Sequence, residues 1–238
     1  MKNPISQETA AKILDDVYEK IKVGIPFVSK PVEDLADEYL KREPDHKKAA
    51  KNMIKYQIAK CTTSGFVTGF GGAVSMIATV PVNITSVLYV QMRMIAATAY
   101  MGGYDLDEDQ VQTFVYACLA GVSVNEIVKK FGVNFGQKLA TAGVKKIPGR
   151  ILTKINQKLG FRFITKFGEK GLINLGKLVP VVGSLVNGGF DLVETKLIAD
   201  RAYKMFIKHD YTVGEQIDDI DEIIINSEEA TEVNYQSV

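Results

Sequence analysis

The sequence predicts an all-α protein, a multi-helix bundle built around a central apolar helical hairpin. Three observations lead there. Apolar residues recur at helical spacing almost throughout, and strand-like alternation bounded by turns is hard to find. From Cys61 to Met92 no residue is charged over 32 positions, and Pro81 divides that run into two apolar halves. Helix starts and stops fall between the periodic stretches, at Pro31, Pro44-Asp45, Gly102-Gly103 and Gly132. With 238 residues, 46% of them hydrophobic, and a mean hydropathy of +0.03, the chain can bury a substantial core without staples.

Taken in order, residues 6–23 open with Ser6 and carry Glu8 and Thr9 in the first turn, the pattern of a capped helix. Residues 31–42 begin with Pro31, favoured at a first helical position. Pro44-Asp45 breaks the chain, and Asp45 can cap a helix through HKKAAKNMIKYQIAKC. The first half of the charge-free run holds Gly65, Gly69 and Ala73, small residues that let another helix approach closely. The second half, VNITSVLYVQMRMIAATAYMGG, stops at Gly102-Gly103. YDLDEDQ then supplies acids for the start of a helix that should run to Gly132. The last long helix, from Pro180, should end near His209-Asp210. The expected organisation is N-terminal helices over 1–44, a helical core domain over 45–210, and an acidic, flexible tail over 211–238.

The charge-free run is long enough to span a bilayer. Against a span, each half is marginal in length, and the second contains Gln91 and Arg93. An arginine at bilayer depth costs about 2.5 kcal/mol or more. A buried hairpin is the favoured reading. Arg93 then needs an acidic partner or a water-filled pocket, because an unpaired buried charge is costly. Asn187, Asp191 and Glu194 share one side of the late helix with Thr195. Asp191 or Glu194 would therefore neutralise Arg93, making Arg93, Asn187, Asp191 and Glu194 a candidate interior polar site. The same cluster could be read as a cation site, but metal sites in bundles draw Glu and His from several helices. The two histidines, His46 and His209, sit in no ligand motif. No metal and no cofactor is expected.

A net charge of +1 hides an asymmetry. No Lys or Arg follows Lys208, while nine acids do. Residues 1–208 thus carry 29 basic and 19 acidic side chains, a net +10. Residues 127–177 carry twelve Lys/Arg and one acid, Glu169. Within them Arg150, Lys154, Lys158, Arg162, Lys166 and Lys170 recur every four residues. Ile151, Ile155, Leu159, Phe163 and Phe167 follow one position later. Two readings compete. The stretch is an amphipathic helix whose apolar side packs on the core, or it lies on an anionic bilayer with Phe163 and Phe167 inward and its cations toward headgroups. Nucleic acid is a weaker fit, because glycines interrupt the pattern and polar base readers do not interleave it. An acidic tail could fold back on this basic body or compete with its anionic partner.

Catalytic signatures fail. GLINLGKL at 171–178 puts Leu178 where a phosphate loop needs a magnesium-binding hydroxyl, and GFGGAV at 69–74 opens no βαβ unit. GxSxG, HExxH and CxxC do not occur. Cys61 and Cys118 lie in separate apolar runs and suggest a reducing compartment. The start, MKNPISQETAAK, has no apolar stretch of the kind that directs secretion.

VPVNITSVLYVQMRMIAATAYMGGYDL, the IPG at 147–149, and VPVVGSLVNGGFDLVETKLIADRAYKMF together resemble the EcsC family of bacterial proteins over roughly residues 45–208. The family is named for a protein encoded beside an ABC transporter. The resemblance implies an all-α cytoplasmic protein associated with a membrane, and it offers no catalytic residue to carry over. The expectation is a non-enzymatic helical protein, peripheral at the inner face of the cell membrane, that meets an anionic membrane surface or a membrane protein through its basic region. A ligand- or ion-binding protein, or an enzyme, built on the Arg93 site is the alternative. An effector acting on a protein partner is a third, weaker reading.

Overall fold

A computed structural model of the chain describes residues 7–62, 82–125, eight positions between 147 and 159, and 195–215. Helix α1 spans Gln7–Val23. Its buried residues Ile13, Leu14, Val17, Tyr18 and Ile21 follow the spacing that makes one apolar stripe. Helix α2 spans Val32–Arg42, with Glu33 and Asp34 in its first turn and Lys41 and Arg42 in its last, as the helix dipole favours. Pro31 stands at the N-cap, one position before the helix proper. Helix α3 spans His46–Thr62 and is capped as expected. The Asp45 Oδ1 accepts from the backbone N–H of Lys47 at 2.9 Å and of Lys48 at 3.4 Å.

Helix α4, Val82–Met101, is the centre of the molecule. It packs against α1, α2, α3, the following helix and the C-terminal helical segment. Every residue from Leu88 to Ala99 is buried, so the helix has no solvent face along that stretch. The charge-free sequence is therefore explained at this half by burial within protein. The other half of the expected hairpin, residues 63–81, lies outside the described residues. Among the described residues no helix is long and apolar enough to cross a membrane.

Helix α5, Asp109–Ala120, begins in the acidic turn as expected. It stops at Gly121 and does not continue to Gly132. Gly121 is left-handed, φ 74°, and its N–H reaches back to the carbonyls of Ala117 and Cys118. A Cβ there would lie 2.8 Å from the Arg201 guanidinium. Beyond it, Val122 pairs with Glu215 in an isolated bridge, which pulls the chain out of helical geometry.

Residues 195–202 are helical and continue into a π-helical turn, Tyr203–Ile207, whose Met205, Phe206 and Ile207 are buried. A strap over 209–215 then closes on α5. Tyr211 is fully buried and bonded to Tyr104 at 2.6 Å. Ser123 N–H donates to the Glu215 carbonyl, and Glu215 N–H to the Gly121 carbonyl. The packed body thus reaches Glu215, five residues past the expected edge at 210. Residues 216–238 lie outside the described residues.

Candidate functional site

The loop between α1 and α2 reads GIPFVSKP, apolar where a connection is normally polar. It folds as a tight turn. The Ile25 carbonyl accepts from Val28 N–H at 3.0 Å and Ser29 N–H at 2.9 Å, and Ile25 N–H donates back to the Ser29 carbonyl at 2.9 Å. Pro26 takes the second turn position and Phe27 the third, with φ 63°. Glycine or asparagine normally fills a left-handed third position. A β-carbon there costs about 1–2 kcal/mol. Ile25 and Val28 pack against the core, whereas Phe27 is fully exposed and Val23 is 71% exposed. The turn therefore holds a phenyl ring in solvent at a conformational cost that no contact of that ring among the described residues offsets.

Two core residues of α4 hold this turn. Tyr89 and Arg93 lie four apart, on one face of the helix. Tyr89 Oη shares a 2.6 Å hydrogen bond with Ser29 Oγ. Arg93 Nη2 donates to the Lys30 carbonyl at 2.8 Å. Burial raises the Tyr89 phenol above its ordinary range and depresses the Arg93 guanidinium, which stays charged. Arg93 is 8% exposed, and its Nε has no hydrogen-bond partner among the described residues. The residue singled out in the sequence as an expensive interior charge thus anchors the α1–α2 turn.

Gln91 is two residues from Arg93 and so points to another side of α4. Its Nε2 donates to Thr195 Oγ1 at 3.1 Å, joining α4 to the late helix through a pair the sequence had not singled out. Asn187, Asp191 and Glu194, the other members of the candidate interior site, lie outside the described residues.

The cations beside the turn are neutralised locally. Lys30 pairs with Glu38, and Lys22 with Asp107 at 2.6 Å. These pairs hold the Glu38 carboxyl below, and the Lys22 ammonium above, their ordinary values. Exposed pairs of this kind stabilise little. Residues Val23 and Ile25–Pro31 border an open concavity of about 470 Å³.

Of the basic segment, Arg150, Lys154, Lys158, Arg162, Phe163, Lys166, Phe167 and Lys170 lie outside the described residues. Its described positions are amphipathic. Ile147, Leu152, Ile155 and Leu159 are buried, and Gly149, Thr153 and Gln157 are exposed. Two members of the apolar stripe, Ile155 and Leu159, therefore face the core and are not available to lipid. The Ile147 carbonyl accepts from Gln110 Nε2 at 2.8 Å, which seats the start of this segment at the first turn of α5.

Cys118 is buried and free, its thiol pushed up to about 12 by burial. It is a packing residue, not a nucleophile. Among the described residues no group of three or more His, Cys, Asp or Glu is placed to hold a metal ion.

The sequence reading missed Phe27. The signal available was the Pro-Phe pair at a turn that asks for Pro-Gly.

The fold and this loop define a class: an all-helical protein whose core presents a rigid apolar turn. The family model of the EcsC protein family matches residues 8–208, and the chain belongs to that family. The match begins inside α1, so it takes in both N-terminal helices as well as the stretch from 45 on. No curated protein and no solved structure matches the chain.

Proposed function

We propose that this protein is a peripheral membrane protein, held at the anionic inner face of the cell membrane by the cations of its basic region. The observation that carries the reading is the charge of residues 127–177, twelve cations to one acid, on a stretch whose described apolar residues are all buried. Because Ile147, Leu152, Ile155 and Leu159 are used in the core, this region would meet the membrane through its cations together with Phe163 and Phe167, and the electrostatic part must weaken with salt. The acidic residues after Lys208 are suited to compete for the same cations, which makes the tail a regulator of binding.

Co-flotation with vesicles tests this. The expected result is binding to phosphatidylglycerol-containing vesicles, little to pure phosphatidylcholine, and weaker binding at high salt. Lys154→Glu with Lys158→Glu should reduce it. Deletion of 216–238, which spares the packed strap, should strengthen it. Equal binding to neutral and anionic vesicles, or none, sinks the reading.

One observation favours the alternative of an interior ligand site: the buried Arg93 Nε, which has no hydrogen-bond partner among the described residues. An anion taken up there would protect Arg93 and raise the melting temperature on addition of phosphate or a carboxylate.

A further inference from the structure

We propose that the acidic stretch DDIDE, residues 218–222, folds back onto a cationic face shared by α3 and the last helix, and keeps those cations from other anionic partners. This gives the regulatory tail a seat. Its regulatory consequence rests on the peripheral reading above, while the seat itself is tested without lipid.

On α3, Lys47, Lys51 and Lys55 recur every four residues with Lys48 beside them, so one side of the helix is a stripe of ammoniums. All four are exposed, while Ala49, Ala50, Met53 and Ile54 are buried. The stripe meets the last helix at Tyr203, in the π-helical turn. The Lys51 ammonium lies 5.5 Å and the Lys208 ammonium 5.9 Å from the centroid of the Tyr203 ring. The ring attracts each cation but neutralises neither. Lys22, Lys30 and Lys204 have carboxylate partners, whereas Lys47, Lys51, Lys55 and Lys208 have none among the described residues. The carboxylates nearby are committed elsewhere. Asp45 caps α3, Asp200 pairs with Lys204 at 2.7 Å, and Asp210 accepts from the Thr212 N–H at 3.1 Å and hydroxyl at 2.6 Å. What this face lacks is an acidic ligand.

Chain geometry selects that ligand. The Glu215 N–H donates to the Gly121 carbonyl at 2.9 Å, and Gly121 lies against the Arg201 guanidinium. The chain therefore leaves the packed body beside Arg201. Lys208 lies further along the same helix, roughly 10 Å away at about 1.5 Å per residue. From Glu215, an extended chain brings Asp218 to Glu222 within a reach of roughly 10–25 Å. Residues 218–222 hold four acids and no base, so their charge is opposite to that of the face they reach. Exposed ion pairs are individually weak, but a short tether supplies an effective concentration on the order of millimolar. Salt screens such pairs, so the seat opens as ionic strength rises.

Carbodiimide joins a carboxylate to an amine only where the two touch. The sample is the unaltered full-length protein, without vesicles. The expected result is amide links from residues 218–222 to Lys51, Lys55 or Lys208 at low salt, lost at high salt. Mixing isotope-labelled with unlabelled protein separates links within one molecule from links between two. Links only between copies, links only to lysines of 127–177, or no link from 218–222 each overturn the proposal. A glutamate-specific protease should also cut after Glu222 roughly tenfold faster in the Lys51→Glu, Lys208→Glu double variant than in the parent at the same low salt, the effect of losing a few exposed pairs. Equal rates overturn the seat as well. The peripheral reading fails separately, by absent co-flotation, and that failure leaves these links unchanged.

Discussion

Two residues other than glycine adopt left-handed backbone among the described residues, Phe27 and His209, and they are opposites. His209 is half-buried and packed against a core tyrosine. Tyr104 Oη bonds its Nδ1 at 2.8 Å, the two rings lie 5.9 Å apart, and Tyr211, two residues on, is fully buried against Phe114. Histidine also tolerates this conformation better than most side chains. Phe27 has the same backbone geometry, a worse side chain for it, and nothing among the described residues packed on its ring. At His209 local strain is offset by tertiary contacts and serves the fold. At Phe27 no contact of the ring among the described residues offsets the strain.

The comparison can be broken at either end. The largest effect is expected at the strap. Tyr211→Ala removes a buried ring and leaves the Tyr104 hydroxyl with one partner fewer. It should cost about 3–5 kcal/mol in chemical denaturation. A loss below about 1 kcal/mol would show that the strap is not part of the cooperative unit. Next, Tyr104→Phe removes the hydroxyl shared by Tyr211 and His209 and should cost about 1–3 kcal/mol.

His209 gives a pH test. Burial lowers its folded pKa, so the folded state binds a proton less readily than the unfolded chain. The stability it contributes is fully present above the unfolded value of about 6.5 and is lost as pH falls through the lower folded value. His209→Asn, which keeps a side chain suited to left-handed backbone, should flatten this part of the stability profile. An unchanged acid limb would remove His209 from the account. The smallest effect is expected at the tip. Phe27→Gly relieves strain but adds glycine's unfolded-state entropy, so stability should stay within about 1 kcal/mol of the parent. A larger loss would mean that the ring is packed after all and would erase the contrast with His209.

Much of the architecture was legible because it is written in local chemistry. Asp45 ahead of an apolar-periodic stretch caps α3, Gly102-Gly103 ends α4, and the acids of YDLDEDQ precede α5. Each depends on groups within a few residues. Arg93 was legible as a costly charge, whereas the Gln91–Thr195 hydrogen bond was not. What Arg93 holds was not legible. The carbonyl of Lys30 is 63 residues away in sequence, and nothing in the local pattern links the two. The early stop of α5 was missed for the same reason. Val122 and Ser123 leave the helix to meet Glu215, more than ninety residues later.

By itself the sequence determined that this chain is helical, that its middle is apolar beyond ordinary need, and that it divides into a basic body and an acidic end. Helical periodicity, capping side chains and charge are properties of neighbouring residues, so they survive without a structure. The tertiary structure decided which helix is central, where the body ends, and which loop is held out from it. Those follow from contacts between distant residues. Phe27 becomes conspicuous only when Tyr89 and Arg93 are seen to fix the turn beneath it while the ring remains in solvent.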